Sequence, residues 1–343
     1  MLILSRDNLL PFLRRLSHGR RLVAPLRNPQ GDTLYSEIKD IDHCRLDLDN
    51  QPQASLKPFF LPQQETIATY TSQPAYGFAP QSHHRPTIFF GVRSCDLQGI
   101  NYLDLTFSTP GRDENYFARR QGALLITLVC NRPFANCFCN NTASGPSLDH
   151  GYDLQFTDLG DRFLVEAGRS RGEDILETWA PFFTSARERD RQQQYQLALE
   201  AQGRFSRKVE VEHACRLLAQ GEVHDDIWQE LAARCSDCGG CAYVCPTCSC
   251  FTIRDQPLDA VSGERLRCWD ACTLQGFTAM AGGHNPVAGE HALKRRFLHK
   301  LKYDVARHGK PSCVGCGRCL DICFGQLDIT SFIRAVVARD EGD

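Results

Sequence analysis

Two segments in the first half of the chain are apolar at nearly every position. They are Thr87-Ile88-Phe89-Phe90-Gly91-Val92 and Ala123-Leu124-Leu125-Ile126-Thr127-Leu128-Val129. Runs without alternation suit strands buried on both faces, as in a parallel sheet. Between them, residues 97–107 carry apolar side chains at helical spacing, which predicts a β-α-β unit. Upstream, 21–27 and 33–39 read as two strands joined by the turn Asn28-Pro29-Gln30-Gly31-Asp32. Downstream, 152–156 and 162–166 flank Asp158-Leu159-Gly160-Asp161 as a hairpin. Residues 186–207 are polar and rich in Gln and Arg, the pattern of a solvated helix or connector. From Val209 onward the periodicity is helical, for instance over 293–303, with turns built around cysteine and glycine. The expectation is an α+β/α/β chain, with a mixed α/β domain over 1–205 and an α-helical domain over 206–343.

Composition narrows the function classes. The 343 residues are enough for two ordinary domains, and 42% apolar with 23% charged residues reads as globular. A formal net charge of −2 shows no basic excess for nucleic acid or an anionic membrane. No apolar run approaches the roughly 20 residues that span a bilayer. The opening Met1-Leu2-Ile3-Leu4 meets Arg6, Asp7, Arg14 and Arg15 before a signal-peptide core develops, so a cytoplasmic location without membrane attachment is expected.

The outlier is cysteine, 18 in all. In a reducing compartment so many thiols point to metal rather than disulfides. The segment Cys235-Ser236-Asp237-Cys238-Gly239-Gly240-Cys241-Ala242-Tyr243-Val244-Cys245-Pro246 is C-x2-C-x2-C-x3-C-P, and Cys313-Val314-Gly315-Cys316-Gly317-Arg318-Cys319-Leu320-Asp321-Ile322-Cys323 repeats the spacing. Three cysteines two residues apart let one loop curl around an iron–sulfur cube, while the fourth reaches a second cube. In that arrangement Cys235, Cys238, Cys241 and Cys323 hold one [4Fe-4S] cluster, and Cys313, Cys316, Cys319 and Cys245 hold another. Structural zinc is the competing occupant, but it usually takes C-x2-C pairs well separated in sequence. The second run ends in Phe324 where a proline is expected. The stretch 246–312 between the runs is mostly helix-like, so the C-terminal domain is expected to be an α-helical dicluster ferredoxin-type domain.

Cys95 and Cys130 each follow one of the two buried strands, and Cys137 and Cys139 lie in the loop after the second. Parallel strands would put these thiols in the crevice at their carboxyl ends. Cys95, Cys130, Cys137 and Cys139 are therefore candidate ligands of a third [4Fe-4S] cluster, with zinc or simple buried thiols as alternatives. Cys248, Cys250, Cys268 and Cys272 would be either a fourth site or thiols packed beside the clusters. Cys44 and Cys215 stand alone. Lys294, Arg295, Arg296, His299, Lys300 and Lys302 form either a solvated helix face or a counter-charge to clusters. His284 in Gly282-Gly283-His284-Asn285-Pro286 and the pair His83-His84 read as structural and surface histidines. No G-x-G-x-x-G after a strand, no P-loop and no G-x-S-x-G elbow occurs, and no catalytic residue is assigned.

Several segments resemble one family in the same order along the chain: Phe90-Gly91-Val92-Arg93-Ser94-Cys95-Asp96-Leu97, Asn136-Cys137-Phe138-Cys139, Cys245-Pro246-Thr247-Cys248, Met280-Ala281-Gly282-Gly283-His284-Asn285-Pro286 and Cys313-Val314-Gly315-Cys316-Gly317-Arg318-Cys319. The resemblance is to the beta subunit of soluble NAD(P)-linked [NiFe] hydrogenases, the sulfhydrogenases. The wider family also includes the electron-transfer subunit of anaerobic sulfite reductase. The resemblance runs from about residue 85 to 330, and it departs at Ser94 and Phe324, where proline is expected. It implies a subunit with several [4Fe-4S] clusters that passes electrons between two partners. One is a flavin subunit that handles NAD(P)H, and the other is formed by the [NiFe] hydrogenase small and large subunits. In the sulfite reductase branch the partner would be a sirohaem subunit. It also implies that the eight run cysteines and the four N-terminal ones are cluster ligands. Two further hypotheses are a sulfur or disulfide reductase built on Cys248, Cys250 and Cys272, and an iron–sulfur or zinc sensor.

Overall fold

A computed structural model describes residues 1–82, 84–221, 223–285 and 292–340. His83 and Pro286, named above, lie outside the described residues. The first half supplies β1 (Leu2–Ser5), β2 (Arg21–Arg27), β3 (Thr33–Glu37), β4 (Gln64–Thr71), β5 (Gly77–Pro80) and β6 (Thr87–Val92). It continues with β7 (Ala123–Leu128), β8 (Leu154–Asp158), β9 (Arg162–Ala167) and β10 (Phe183–Ser185), and the second half adds β11 (Phe251–Pro257) and β12 (Ser262–Trp269). Eight of these form one sheet in the order β10-β1-β9-β8-β7-β6-β2-β3. Its centre is parallel across β2, β6, β7 and β8, and its flanks are antiparallel.

The unbroken apolar runs have the role their pattern implies, since every residue of β6 and β7 is buried. One face, with Ile88, Phe90, Leu124 and Ile126, packs against Phe12 and Leu13 of the helix Leu9–Leu16. The other, with Phe89, Val92 and Leu125, packs against Ile100 and Leu103 of the helix Ser94–Ser108. The polar stretch near 190 is the helix Glu188–Gly203, as its composition predicts.

A second, antiparallel sheet runs β11-β12-β4-β5, so strands from both sides of residue 205 share it. The hairpin β11–β12 occupies part of the stretch that the sequence pattern assigns to helix. Every residue of β11 is exposed, its apolar alternation ends after Phe251 and Ile253, and its sheet is completed by β4, far upstream in sequence. An ionic knot ties this sheet to the first half, with Glu65 of β4 accepting from Arg119 and Arg267, and Arg267 also bonded to Asp113. The rest of the C-terminal half is helical. Trp228, Phe297 and Phe332 stack in its core with ring centroids 4.8 and 5.0 Å apart, each buried ring contributing about 1.5–3 kcal/mol. No described helix is long and apolar enough to cross a membrane.

Candidate iron–sulfur centres

The loop of the second cysteine run is pressed against the N-terminal half. Gly315 (φ +61°) and Gly317 (φ +80°) adopt left-handed conformations. A Cβ on Gly315 would lie 2.6 Å from the backbone nitrogen of Cys139. Only glycine satisfies both the conformation and the approach. Across this contact the Phe138 amide donates to the Gly315 carbonyl at 2.8 Å, and the Cys137 thiol points at the Cys316 carbonyl at 3.6 Å. Cys313, Cys316 and Cys319 lie within electrostatic reach of one another and of Cys245. Cys245 arrives from the other run because Pro246 sits on the bare face of Gly99, where a Cβ would meet it at 2.6 Å.

The first run forms a similar turn. Gly239 (φ +72°) opens the short helix Gly240–Tyr243. Cys235 and Cys241 pack against the helical core, as does Cys323. The Cys238 thiol and the Ile322 side chain approach the same face of Gly240, at 3.6 and 3.7 Å from an added Cβ, which brings the end of the second run alongside. Cys238 is exposed, whereas Cys316, Cys319 and Cys245 are buried.

The N-terminal thiols also converge. Cys95 occupies the first turn of the helix after β6, Cys130 follows β7, and those strands are parallel as expected. Cys139 is within reach of Cys137 and Cys130, and Cys95 is within reach of Cys139 and Cys316. Cys130 lines a cavity of about 480 Å³ at the carboxyl ends of the strands, with Arg6, Arg93, Arg132 and Arg204 in its wall. The Arg93 guanidinium stands 4.0 Å from the Cys130 sulfur and is fixed by the Leu48 and Asn50 carbonyls. Between this group and the second run lies a buried ion pair. Arg318 donates two parallel bonds to Asp96 at 2.7 and 2.8 Å, and the Tyr35 hydroxyl adds a third at 2.9 Å.

Burial pushes the Cys137 and Cys313 thiols up to about 12 and the Cys235 thiol up to about 11. Without a cation these groups keep their protons at neutral pH, so binding iron must release them. The protein supplies some of that positive charge. Lys57, Arg296 and Lys300 are buried, and none forms an ion pair with a carboxylate among the described residues. Lys57 donates to the Ala242 and Cys248 carbonyls at 3.2 and 3.0 Å, and Lys300 donates to the Thr247 hydroxyl at 2.7 Å. Arg296 donates to the Cys241 carbonyl at 3.3 Å, while its Nε is buried without a partner. Although burial opposes its charge, Cys245 and Cys248 hold Lys300 well above the usual lysine range. Two members of the basic stretch thus face inward, the counter-charge arrangement rather than a fully solvated face. Lys57, a lone lysine before Pro58 and two phenylalanines, gives no sign of this role in the sequence.

The remaining thiols separate. Cys248, Cys250 and Cys272 line one cavity, whereas Cys268 does not. Cys44 donates to the Ile41 carbonyl at 3.3 Å, and Cys215 is packed into the helical core. His284 is exposed. Among the described residues no three His, Cys, Asp or Glu side chains gather tightly enough to hold a single metal ion. A zinc ion needs its thiolates about 2.3 Å away, whereas a cube accepts them across a wider body. Each group of four thiols supplies the donor set of a [4Fe-4S] cube, largely buried in the second run and at the N-terminal site and half-buried to exposed in the first.

Comparison with known proteins agrees with this chemistry. Residues 234–327 match the 4Fe-4S dicluster domain family. Over 319 residues, 92% of this chain and 92% of the other, the chain is 27% identical to sulfhydrogenase 2 subunit beta of Pyrococcus furiosus. The resemblance drawn from the motifs is borne out, and the chain has the iron–sulfur, electron-transfer character of such a protein.

Proposed function

We propose that this chain, similar to a sulfhydrogenase beta subunit over nearly its whole length, relays electrons between a flavin subunit that handles NAD(P)H and a [NiFe] hydrogenase module. Cys235, Cys238, Cys241 and Cys323 would hold one cluster, Cys313, Cys316, Cys319 and Cys245 a second, and Cys95, Cys130, Cys137 and Cys139 a third. When bound, such clusters supply one-electron transfer.

The observation that carries the proposal is the contact of Gly315 with the Phe138–Cys139 backbone, because it puts two thiol groups from opposite ends of the sequence side by side. The chain's own residues then have distinct tasks. Cys238 presents one end of the series to solvent, and the arginine-walled cavity at Cys130 presents the other. Arg296 and Lys300 keep negative charge tolerable in the interior between them.

The test is Cys238→Ala in the intact complex. Electron flow from NAD(P)H to the terminal catalyst should stop, while each partner's half-reaction with artificial dyes continues. Loss of both half-reactions would mean that the chain is a scaffold instead. Metal analysis of the complex isolated anaerobically through a tag on this chain identifies the terminal partner. Stoichiometric nickel supports the hydrogenase module, and iron without nickel favours the sulfite reductase partner.

A further inference from the structure

The proposed relay leaves Arg93 without a task, although this arginine is only 3% exposed. Its setting is rigid. The residue follows β6 and caps the helix Ser94–Ser108, whose Asp96 and Leu97 amides donate to its carbonyl at 2.9 and 3.0 Å. Its own amide donates to the Tyr35 hydroxyl at 3.1 Å. The guanidinium lies over the Phe134 ring, 5.4 Å from the centroid, and Nη2 donates to the Leu48 and Asn50 carbonyls at 2.5 and 3.2 Å. Nη1 is left facing the Cys130 sulfur at 4.0 Å, and Nε is buried without a partner.

A buried ion is costly unless an opposite charge stands near it. Among the described residues no carboxylate forms an ion pair with Arg93, because the nearby ones are engaged elsewhere or turned away. In the cavity wall Asp158 pairs with Arg6 and Glu200 with Arg204, while Asp49, between the two carbonyls that hold Arg93, makes no ion pair with it. Beyond Cys95, Asp96 is held by Arg318. The two buried arginines beside the N-terminal thiols therefore differ. Arg318 is neutralised by its own carboxylate, whereas Arg93 is held only by dipoles and points its charge at Cys130. Peptide carbonyls fix a guanidinium in place but bring no net negative charge.

We propose that Arg93 sets the reduction potential of the N-terminal centre through its uncompensated charge beside Cys130. This rests on the relay assignment, in which Cys95, Cys130, Cys137 and Cys139 hold a cluster. Reduction adds one negative charge to such a centre. A fixed positive charge 4.0 Å from a ligand sulfur favours the more negative state, and burial keeps solvent from screening it. Arg93 thus raises the potential, and the centre keeps an electron more readily than it would beside a neutral side chain. Arg93 is a positioning residue here, acting on the centre through Cys130 and the field at its sulfur.

The experiment uses the intact complex, prepared anaerobically as wild type, Cys137→Ala, Arg93→Gln, Arg93→Lys and Arg204→Gln. Iron and acid-labile sulfide are counted per chain, and electron paramagnetic resonance is recorded across a redox titration. Cys137→Ala should remove one signal, which identifies the N-terminal centre. Arg93→Gln should keep the iron and shift that signal alone to a lower midpoint potential. Arg93→Lys, which keeps the charge, should return it toward the wild-type value. Arg204→Gln, in the same cavity wall but half-exposed and paired with Glu200, should match wild type. An unmoved midpoint in Arg93→Gln overturns the proposal. An equal shift in Arg93→Lys also overturns it, because the effect would then lie in the lost hydrogen bonds and not in the charge. So does an equal shift in Arg204→Gln, which would show a general surface field. Loss of the signal in both Arg93 variants would mark a residue that only holds the loop, and overturns it as well. Survival of every signal in Cys137→Ala would instead defeat the ligand assignment of the relay, so the two failures are distinguishable.

Discussion

The buried pair of Asp96 and Arg318 gives the most direct test of how the two halves of the chain are joined. Asp96 follows Cys95 and Arg318 precedes Cys319, and their side chains are 0% and 2% exposed. Replacing Asp96 by Asn keeps the size, and the Tyr35 hydroxyl can still donate to the amide oxygen, but the charge opposite Arg318 is gone. Unit charges about 4 Å apart interact by about 4 kcal/mol at an effective dielectric of 20. Breaking a buried pair from one side typically costs about 3–5 kcal/mol, because the remaining ion has no water to return to. Asp96→Asn should therefore lower unfolding free energy by about 3–5 kcal/mol, a large share of the roughly 5–15 kcal/mol that holds a domain together. Arg318→Met should cost a similar amount. The double variant should be at least about 2 kcal/mol more stable than the sum of the singles implies, since it leaves neither ion stranded. Anaerobic urea titration followed by tryptophan fluorescence measures all three. An Asp96→Asn variant within about 1 kcal/mol of wild type, or strict additivity in the double, would refute the reasoning.

Three other outcomes follow from the same contacts. Gly315→Ala should be destabilising by more than about 1 kcal/mol, from the left-handed backbone and the 2.6 Å approach to Cys139, and should lower iron retention measured after gel filtration. Lys300→Met should move the potential of the adjacent cluster negative by on the order of tens of millivolts, read in a redox titration, because a buried positive charge that favours the reduced state is lost. The carboxyl of Asp304 is held down at about 2, since the nearby His299 imidazole and the hydrogen bond from Ser312 outweigh the upward push of burial. Its stabilisation is complete above the unfolded value of about 3.9 and is lost as pH falls toward 2. An Asp304→Asn variant should thus show a flatter stability curve between about pH 4 and 2 in acid denaturation.

The doubly buried strands, the polar helix and the dicluster spacing are legible in the sequence because each has a local period or spacing of its own. The convergence of Cys95 and Cys130 is legible through topology, since parallel strands put their carboxyl ends together. What escapes is whatever depends on distant partners. β11 is exposed throughout and becomes a strand through β12, which pairs with β4 in turn. Lys57 becomes a buried cation only because the first cysteine run and Trp269 close over it, with its ammonium 4.0 Å from the indole ring centre. For Arg296 and Lys300 the sequence leaves a solvated face and a counter-charge both open, and only their burial decides between them. The missing proline at Phe324 leaves no visible trace in the site, because that residue is 95% exposed and Cys323 is fixed by the Leu327 amide at 3.2 Å.

The interlock of the two cysteine loops also sets a timetable. Cys137 and the Cys316 carbonyl that faces it are 179 residues apart in sequence. A ribosome adding about 5–20 residues per second leaves the N-terminal loop waiting roughly 10–35 s for its cover. During that interval its thiols face solvent on the side that Gly315 and Cys316 later close. On the ligand assignment proposed above, iron delivered to the nascent chain would meet an open loop, and the group of Cys95, Cys130, Cys137 and Cys139 would be covered only once the second cysteine run is made.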